Sequence, residues 1–241
     1  MNIYDKLKEH LSKICQNKDE NIKVRATALS QEEAIGRPED NDYPLAKGRE
    51  RIMEATYQGA KGHAFTDQFA HWQGTIDDIL QLPMEDNFHR ALLVATLNAA
   101  MCANGELEDT VHCKDDGPIQ CASKLKEFFE AEKLSPPTVL IGYQPRLAEI
   151  LATLGELHIV DLDEDNQGQK KAGTVILSPR DSKEMLQRAR TLFITGSTIV
   201  NGTIEEFLDK DVDTIFFGVT IAGPAKVLGL RRYCKAGLPG R

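Results

Sequence analysis

The segment TVHCKDDGPIQCASKL, residues 110–125, gathers His112, Cys113, Asp115, Asp116 and Cys121 into one short stretch. Imidazole, thiolate and carboxylate are all metal ligands, so His112, Cys113 and Cys121 are the candidate set, and a soft metal would favour the two cysteines. The spacing is not Cys-x-x-Cys, however, and no second cysteine pair follows. Two other readings therefore stand beside a metal or cofactor contact. In one, Pro118 opens a helix over 118–134, Asp115 and Asp116 complement its positive end, and Cys121 packs on the face of Leu125 and Phe128. In the other, a cysteine near a helix N-terminus reacts as a thiolate. His63, Asp67 and His71 form a second set at helical spacing, but QGAKGHAFTDQFAHWQG has glycine near both ends and reads as a loop with surface histidines.

Three further segments suit a ligand. GYQP (142–145), TGSTIVNGT (195–203) and GVTIAGPA (218–225) each follow an apolar run and precede a helical one. Ligands of open parallel sheets bind outside the carboxyl ends of the strands, where helix N-termini point and glycines let backbone N–H groups approach. Gly142 and Gln144, then Gly196, Ser197, Thr198, Asn201 and Gly202, and finally Thr220 are the candidate contacts for something small, polar and anionic. The second segment carries most of this expectation, because seven residues precede a capping-box pair, Thr203 and Glu206. Ser197 lacks the G-x-S-x-G elbow of a nucleophile. Asp161 lies nineteen residues after Gly142, near where such folds bind a ribose hydroxyl, and Asp163 follows it. The first loop nonetheless lacks G-x-G-x-x-G, which weakens a nicotinamide reading.

The elements that must position these residues divide at EKLSPPTVL, residues 132–140. Beyond it, TVLIGYQ, LHIVDLD, TLFITG and DTIFFGVT are apolar runs without alternation. PRLAEILATLG, DSKEMLQRAR, TIEEFLDK and a short helix from Pro224 separate or follow them. That pattern predicts a parallel sheet buried on both faces. Before the seam, IKVRATAL (22–29) and RIMEATYQG (51–59) read as strands with a loop between them. Asp86 caps the helix NFHRALLVATLNAAMCANG, apolar on nearly every side and therefore central. The expected fold is α/β: a small α+β domain over 1–110 packed on a Rossmann-like domain over 111–241.

With 41% hydrophobic and 27% charged residues the composition is that of an ordinary globular chain, and no run reaches the ~18 apolar residues of a membrane helix. A net charge of −8 argues against nucleic acid or an anionic membrane as partner. Five cysteines, an odd number, without a secretion signal fit reduced thiols and a cytoplasmic location. A homo-oligomer is left open.

The motifs TALSQEEAIGRPEDNDYPLAKG, GHAFTD, TLNAAMCANGELEDTVHCKDDGPIQCA, LIGYQP, VDLDEDNQG, TGSTIVNGTIEEFL and GVTIAGPAKVLGLRRYC together resemble the heavy-metal-chelation domain family of prokaryotes, whose function is largely unknown. The resemblance implies an enolase-N-terminal-like domain followed by a Rossmann-like one, with the site between them. It also implies action on pterin-, flavin- or siderophore-like molecules, or metal chelation. The family's motifs fall on Thr66, Asp67, His112, Cys113, Asp115, Cys121, Gly142, Gln144, Asp161, Asp163, Gly196, Ser197, Asn201 and Gly202. The glycine-rich N-terminal segment of some members is missing.

Whether the chain is an enzyme is open between two readings. In one, a small polar molecule or metal chelate binds in the interdomain cleft, with Asp67 and His112 as acid–base groups. In the other, a transition metal is held without catalysis by His112, Cys113 and Cys121. A Rossmann-like methyltransferase is a third reading, disfavoured by the first loop.

Overall fold

The computed structural model describes residues 2–15, 24–37, 50–208 and 211–234. The family-like segment 38–49 lies outside the described residues, apart from its flanks. Helix α1 spans Ile3–Cys15, followed by β1 (Val24–Ala28), α2 (Gln31–Ile35), β2 (Arg51–Tyr57), β3 (Ala60–Thr66), β4 (Trp72–Gly74), α3 (Ile76–Gln81) and α4 (Asn87–Ala103). The rest comprises α5 (Gly117–Ser123), α6 (Leu125–Ala131), β5 (Thr138–Ile141), α7 (Pro145–Leu154), β6 (Leu157–Val160), β7 (Lys170–Lys171) and β8 (Thr174–Leu177). It ends with α8 (Lys183–Arg188), β9 (Thr191–Thr195), α9 (Thr198–Asn201), β10 (Asp213–Phe217), α10 (Ala222–Leu228) and β11 (Arg232–Tyr233).

The first four strands form an antiparallel sheet in the order β3-β2-β1-β4. The others form a second sheet, β11-β10-β9-β5-β6-β8-β7, parallel except for the β7–β8 pair. Taken in chain order, its six parallel strands lie 3-2-1-4-5-6, and the order reverses between β5 and β9.

Helix α4 lies between the two sheets. Asp86 caps it by accepting from His89 N at 2.8 Å, and Asn104 ends it. Its long run of apolar residues has one sheet on each side. Met53, Ala55 and Ala64 of the first sheet and Val139, Ile141, Ile194 and Phe216 of the second belong to one apolar cluster with Leu92, Leu93 and Leu97. Gly62 lets β3 meet the helix backbone: a methyl group there would stand 2.2 Å from Ala95 O and 2.3 Å from Ala99 N. The alternate residues of the parallel strands, Leu140, Ile159, Phe193 and Ile215, face a second cluster under α5, α6 and α7. Burial on both faces explains why these strands carry no polar alternation.

Several expectations need correction. GHAFT is not loop but most of β3, an edge strand whose Gly62, Ala64 and Thr66 face inward and whose alternation is masked by small residues. The helix expected over 118–134 is broken at Lys124 into α5 and α6, and Asp116 makes no side-chain cap. Residues 195–203 are not an extended loop: α9 begins at Thr198, and Thr203 caps nothing through its side chain. The short helices α2 and α3 carry capping boxes, Ser30 with Glu33 and Thr75 with Asp78, that mark their starts.

Candidate functional site

The turns after β5 and β9 lie side by side where the strand order reverses. Gly142 takes φ +85°, and a methyl group on it would stand 2.6 Å from Thr195 Cγ2. Gly142 N donates to Val160 O at 2.8 Å, so the turn is tied to β6. Gly196 is equally confined, since a methyl group there would approach Ile221 N to 2.7 Å. Gln144 spends its side-chain oxygen as the N-cap of α7, accepting from Leu147 N at 2.5 Å, with Pro145 as the first helical residue.

The hydroxyls of the second turn are engaged locally. Thr198 Oγ1 donates to Thr195 O at 2.9 Å, and Ser197 Oγ accepts from Thr195 Oγ1 at 3.3 Å; both residues are buried. Asn201 ends α9, and Gly202 follows with φ +75°. Two side chains hold this short helix from outside. Tyr4 donates its hydroxyl to Ile199 O at 2.7 Å, and Arg90 Nε donates to Val200 O at 2.6 Å. Thr220 Oγ1 accepts from Phe65 N at 3.0 Å, joining the turn after β10 to the edge of β3.

That edge brings Asp67 to the same end of the molecule. Its Oδ1 accepts from Asn87 Nδ2 at 2.7 Å, and Asn87 Oδ1 accepts from Arg90 NH2 at 2.6 Å. One chain of hydrogen bonds thus runs from Asp67 to Val200 and joins the first sheet to the turn after β9. Asp161 closes the other side, with Oδ2 accepting from Tyr143 N at 2.5 Å and Oδ1 from Asp163 N at 2.7 Å. Burial raises its carboxyl above the usual range despite these donors.

Glu50, which no sequence feature marked, completes the group. Burial, then the charges of Asp161, Asp67 and Asp163, push it up to about 7. Glu50 thus feels the carboxyl groups of Asp67, Asp161 and Asp163 at this end of the molecule.

His112 is not among them. Residues Lys61, His63 and Phe65 of β3 and Glu54 of β2 face away from α4, and His112 lies on that outer side. Its ring meets Phe65 edge-on at 5.3 Å, and its Nδ1 faces Ala34 O of α2 at 3.3 Å. His112 N donates to His63 Nδ1 at 2.9 Å, while His63 Nε2 meets Glu54 Oε2 at 2.9 Å. Because Nδ1 accepts, His63 is neutral with its proton on Nε2. Burial lowers both histidines, His112 to about 4. Among the described residues Asp67 and His112 share no hydrogen-bond partner: Asp67 bonds to Asn87, and His112 faces His63 and Ala34.

The metal set of His112, Cys113 and Cys121 fares similarly. Among the described residues, no group of three or more His, Cys, Asp or Glu side chains is disposed to hold a metal ion. The His112 ring is turned to Phe65 and Ala34. His63 lies in β3, Asp67 just beyond it and His71 just before β4, which removes the helical face proposed for them.

Comparison with known proteins can now be read against this geometry. Residues 127–226 match the family described as "Putative heavy-metal chelation", DUF364. The matched stretch runs from α6 into α10 and contains both turns at the strand-order reversal. A DUF364 protein of unknown function from Pyrococcus horikoshii has a similar structure, with TM-score 0.56 and 14% identity over 91% of this chain and 80% of that one. A second DUF364 structure of unknown function, from Desulfitobacterium hafniense DCB-2, gives TM-score 0.49 and 13% identity over 93% and 84%. At that identity the likeness to the first concerns the fold, which is α/β in both. No curated protein matches the chain. Among the described residues no helix is long and apolar enough to cross a membrane.

Proposed function

We propose that the crevice between β5 and β9 binds a small polar molecule bearing positive charge, as an amine or as a metal chelate. The observation that carries this reading is the meeting of the Gly142 and Gly196 turns with Glu50, Asp67, Asp161 and Asp163. Carboxylates on the opposite wall favour a cation and accept hydrogen bonds from ring or side-chain amines. Pterin- and siderophore-like molecules with their metal fit that description, whereas a phosphate-bearing flavin fits it less well. The heavy-metal description of the matching family agrees with a metal arriving as part of the ligand.

In this reading the 1–110 part supplies Glu50 and Asp67, and the 111–241 part supplies the turns with Asp161 and Asp163. If the bound molecule reacts, Glu50 is the better proton carrier, because its carboxyl titrates near neutrality in contact with the crevice. Isothermal titration with a ferric hydroxamate siderophore, a reduced pterin and flavin mononucleotide tests the proposal. Binding of the first or second, weakened at least ~10-fold by Asp161→Asn, is expected. Tighter binding of the flavin phosphate, or indifference to Asp161→Asn, would count against it.

A further inference from the structure

Arg90, at the end of the first turn of α4, grips three parts of the chain at once. Its Nε donates to Val200 O at 2.6 Å, NH1 to Met84 O at 2.8 Å and NH2 to Asn87 Oδ1 at 2.6 Å. Every one of these acceptors is uncharged, so the rigid fork of donors sets its place more than charge pairing does. The guanidinium lies across Gly202, where a methyl group would stand 3.4 Å from Cζ and 3.6 Å from both terminal nitrogens. We propose that Arg90 is a positioning residue for the crevice, through which Asp67 governs the shape of the turn after β9. Its consequence for a ligand rests on the crevice reading above; the coupling itself rests on contacts that need no ligand.

Helix α9 is a single turn, too short to hold its shape alone. Ile199 N donates to Gly196 O at 3.2 Å, Val200 N to Ser197 O at 3.0 Å and Asn201 N to Ser197 O at 2.9 Å. Its last carbonyls have no following helical turn to bond them, and side chains take that part: the Tyr4 hydroxyl at Ile199 O, Arg90 at Val200 O. Behind Arg90, Asn87 stands between a group that can only donate and a carboxylate that can only accept. That fixes its amide, with Oδ1 on the guanidinium and Nδ2 donating to Asp67 Oδ1 at 2.7 Å. Asp67 itself is held on a closed turn. Thr66 Oγ1 donates to Gln68 O at 2.9 Å and accepts from Gln68 N at 3.1 Å, and Gln68 Oε1 accepts from Asn87 N at 3.2 Å. Negative charge on Asp67 polarises the Asn87 amide and strengthens its bond to Arg90. A cation drawn to Asp67 competes for that charge and slackens the hold on α9.

Hydrogen–deuterium exchange of the full chain without ligand, followed in peptides covering 196–203, is the test. Arg90→Lys keeps the charge but loses the fork, and should speed exchange there ~10-fold or more. Asn87→Ala removes no contact with α9, yet should speed it roughly 5-fold, the loss of one hydrogen bond. Asp67→Asn should act in the same direction and add nothing further in the Asn87→Ala chain, because both lie on one path. Exchange over β5 should stay at the wild-type rate in all of them, which a general loss of stability would not allow. If Arg90 were only a brace for α9, Asn87→Ala and Asp67→Asn would leave 196–203 at the wild-type rate. That result overturns the proposal, as does full additivity of the two, and both variants decide it even if Arg90→Lys folds poorly. Titration with the ferric hydroxamate siderophore keeps the two readings apart. Failure of the wild type to bind it counts against the crevice and leaves the exchange rates to decide the coupling. Binding, with unchanged exchange in Asn87→Ala and Asp67→Asn, removes the coupling alone.

Discussion

Glu50 stands among Asp67, Asp161 and Asp163 and can keep that company only by holding a proton. Its carboxyl is raised from its ordinary value, 4.5, to about 7 in the folded chain, so the native state binds more protons than the unfolded one between those values. Stability must fall as pH rises through that window. Glu50→Gln removes the titration. It should raise the melting temperature at pH 8 and lose its advantage by pH 5, measured by thermal denaturation across pH. No pattern in the sequence could mark this residue, because the four acids come from distant segments and only the packing of the two sheets brings them together. Asp161 and Asp163 were legible as acids following a strand, and Asp67 through the family resemblance in a segment that reads as loop; their common neighbour was not. Ser197 and Thr198 show the converse case. Their types suggest ligand contacts, yet their hydroxyls bond to Thr195 within the turn.

At the scale of elements, the segment 110–116 behaves as a strap on the outer side of the first sheet. His63 N donates to Thr110 O at 2.9 Å, Thr110 Oγ1 to Lys61 O at 2.7 Å, and Arg37 N to Asp115 Oδ1 at 2.9 Å. The His63 Nδ1 that receives His112 N is the weak point, since a proton there removes the acceptor. Both histidines are lowered by burial, so their contribution is complete above the unfolded value near 6.5 and is lost as pH falls toward about 4. Amide exchange over 110–116 should therefore accelerate between pH 6.5 and 4 relative to α4, beyond the intrinsic pH dependence. His63→Gln, which cannot take up the charge, should flatten that response. The strands of the parallel sheet were readable because burial on both faces leaves continuous apolar runs. The misses, β3, β4, β7, β8 and β11, are short or edge strands whose small or charged residues obscure the period. The break at Lys124 was invisible because nothing in KLKEFFEA opposes a continuous helix.

For the molecule as a whole, α4 is where the two sheets are fastened. Asn98 is fully buried; its Nδ2 donates to His63 O at 2.9 Å, and its Oδ1 accepts from Gly223 N at 2.7 Å. Asn98→Ala strands donors and acceptors from both halves in an apolar core. It should cost about 2–4 kcal/mol in chemical denaturation. A carboxyl-terminal fragment, 111–241, loses α1 and α4 and would expose Val139, Ile141, Ile194 and Phe216 on one face of its sheet. Expressed alone, it should bind the dye ANS and fail to show a cooperative melt.

The position of α4 also separates two ideas of a domain that usually coincide. The stretch that carries the family likeness, 127–226, holds the strand-order reversal and its turns, yet one face of its sheet is covered by a helix that precedes it in the chain. The stretch of likeness and the unit of folding therefore differ. Changes to the two sides of α4 must therefore be compatible with both sheets at once, and a graft of the recognised stretch into another protein would need to carry this helix with it.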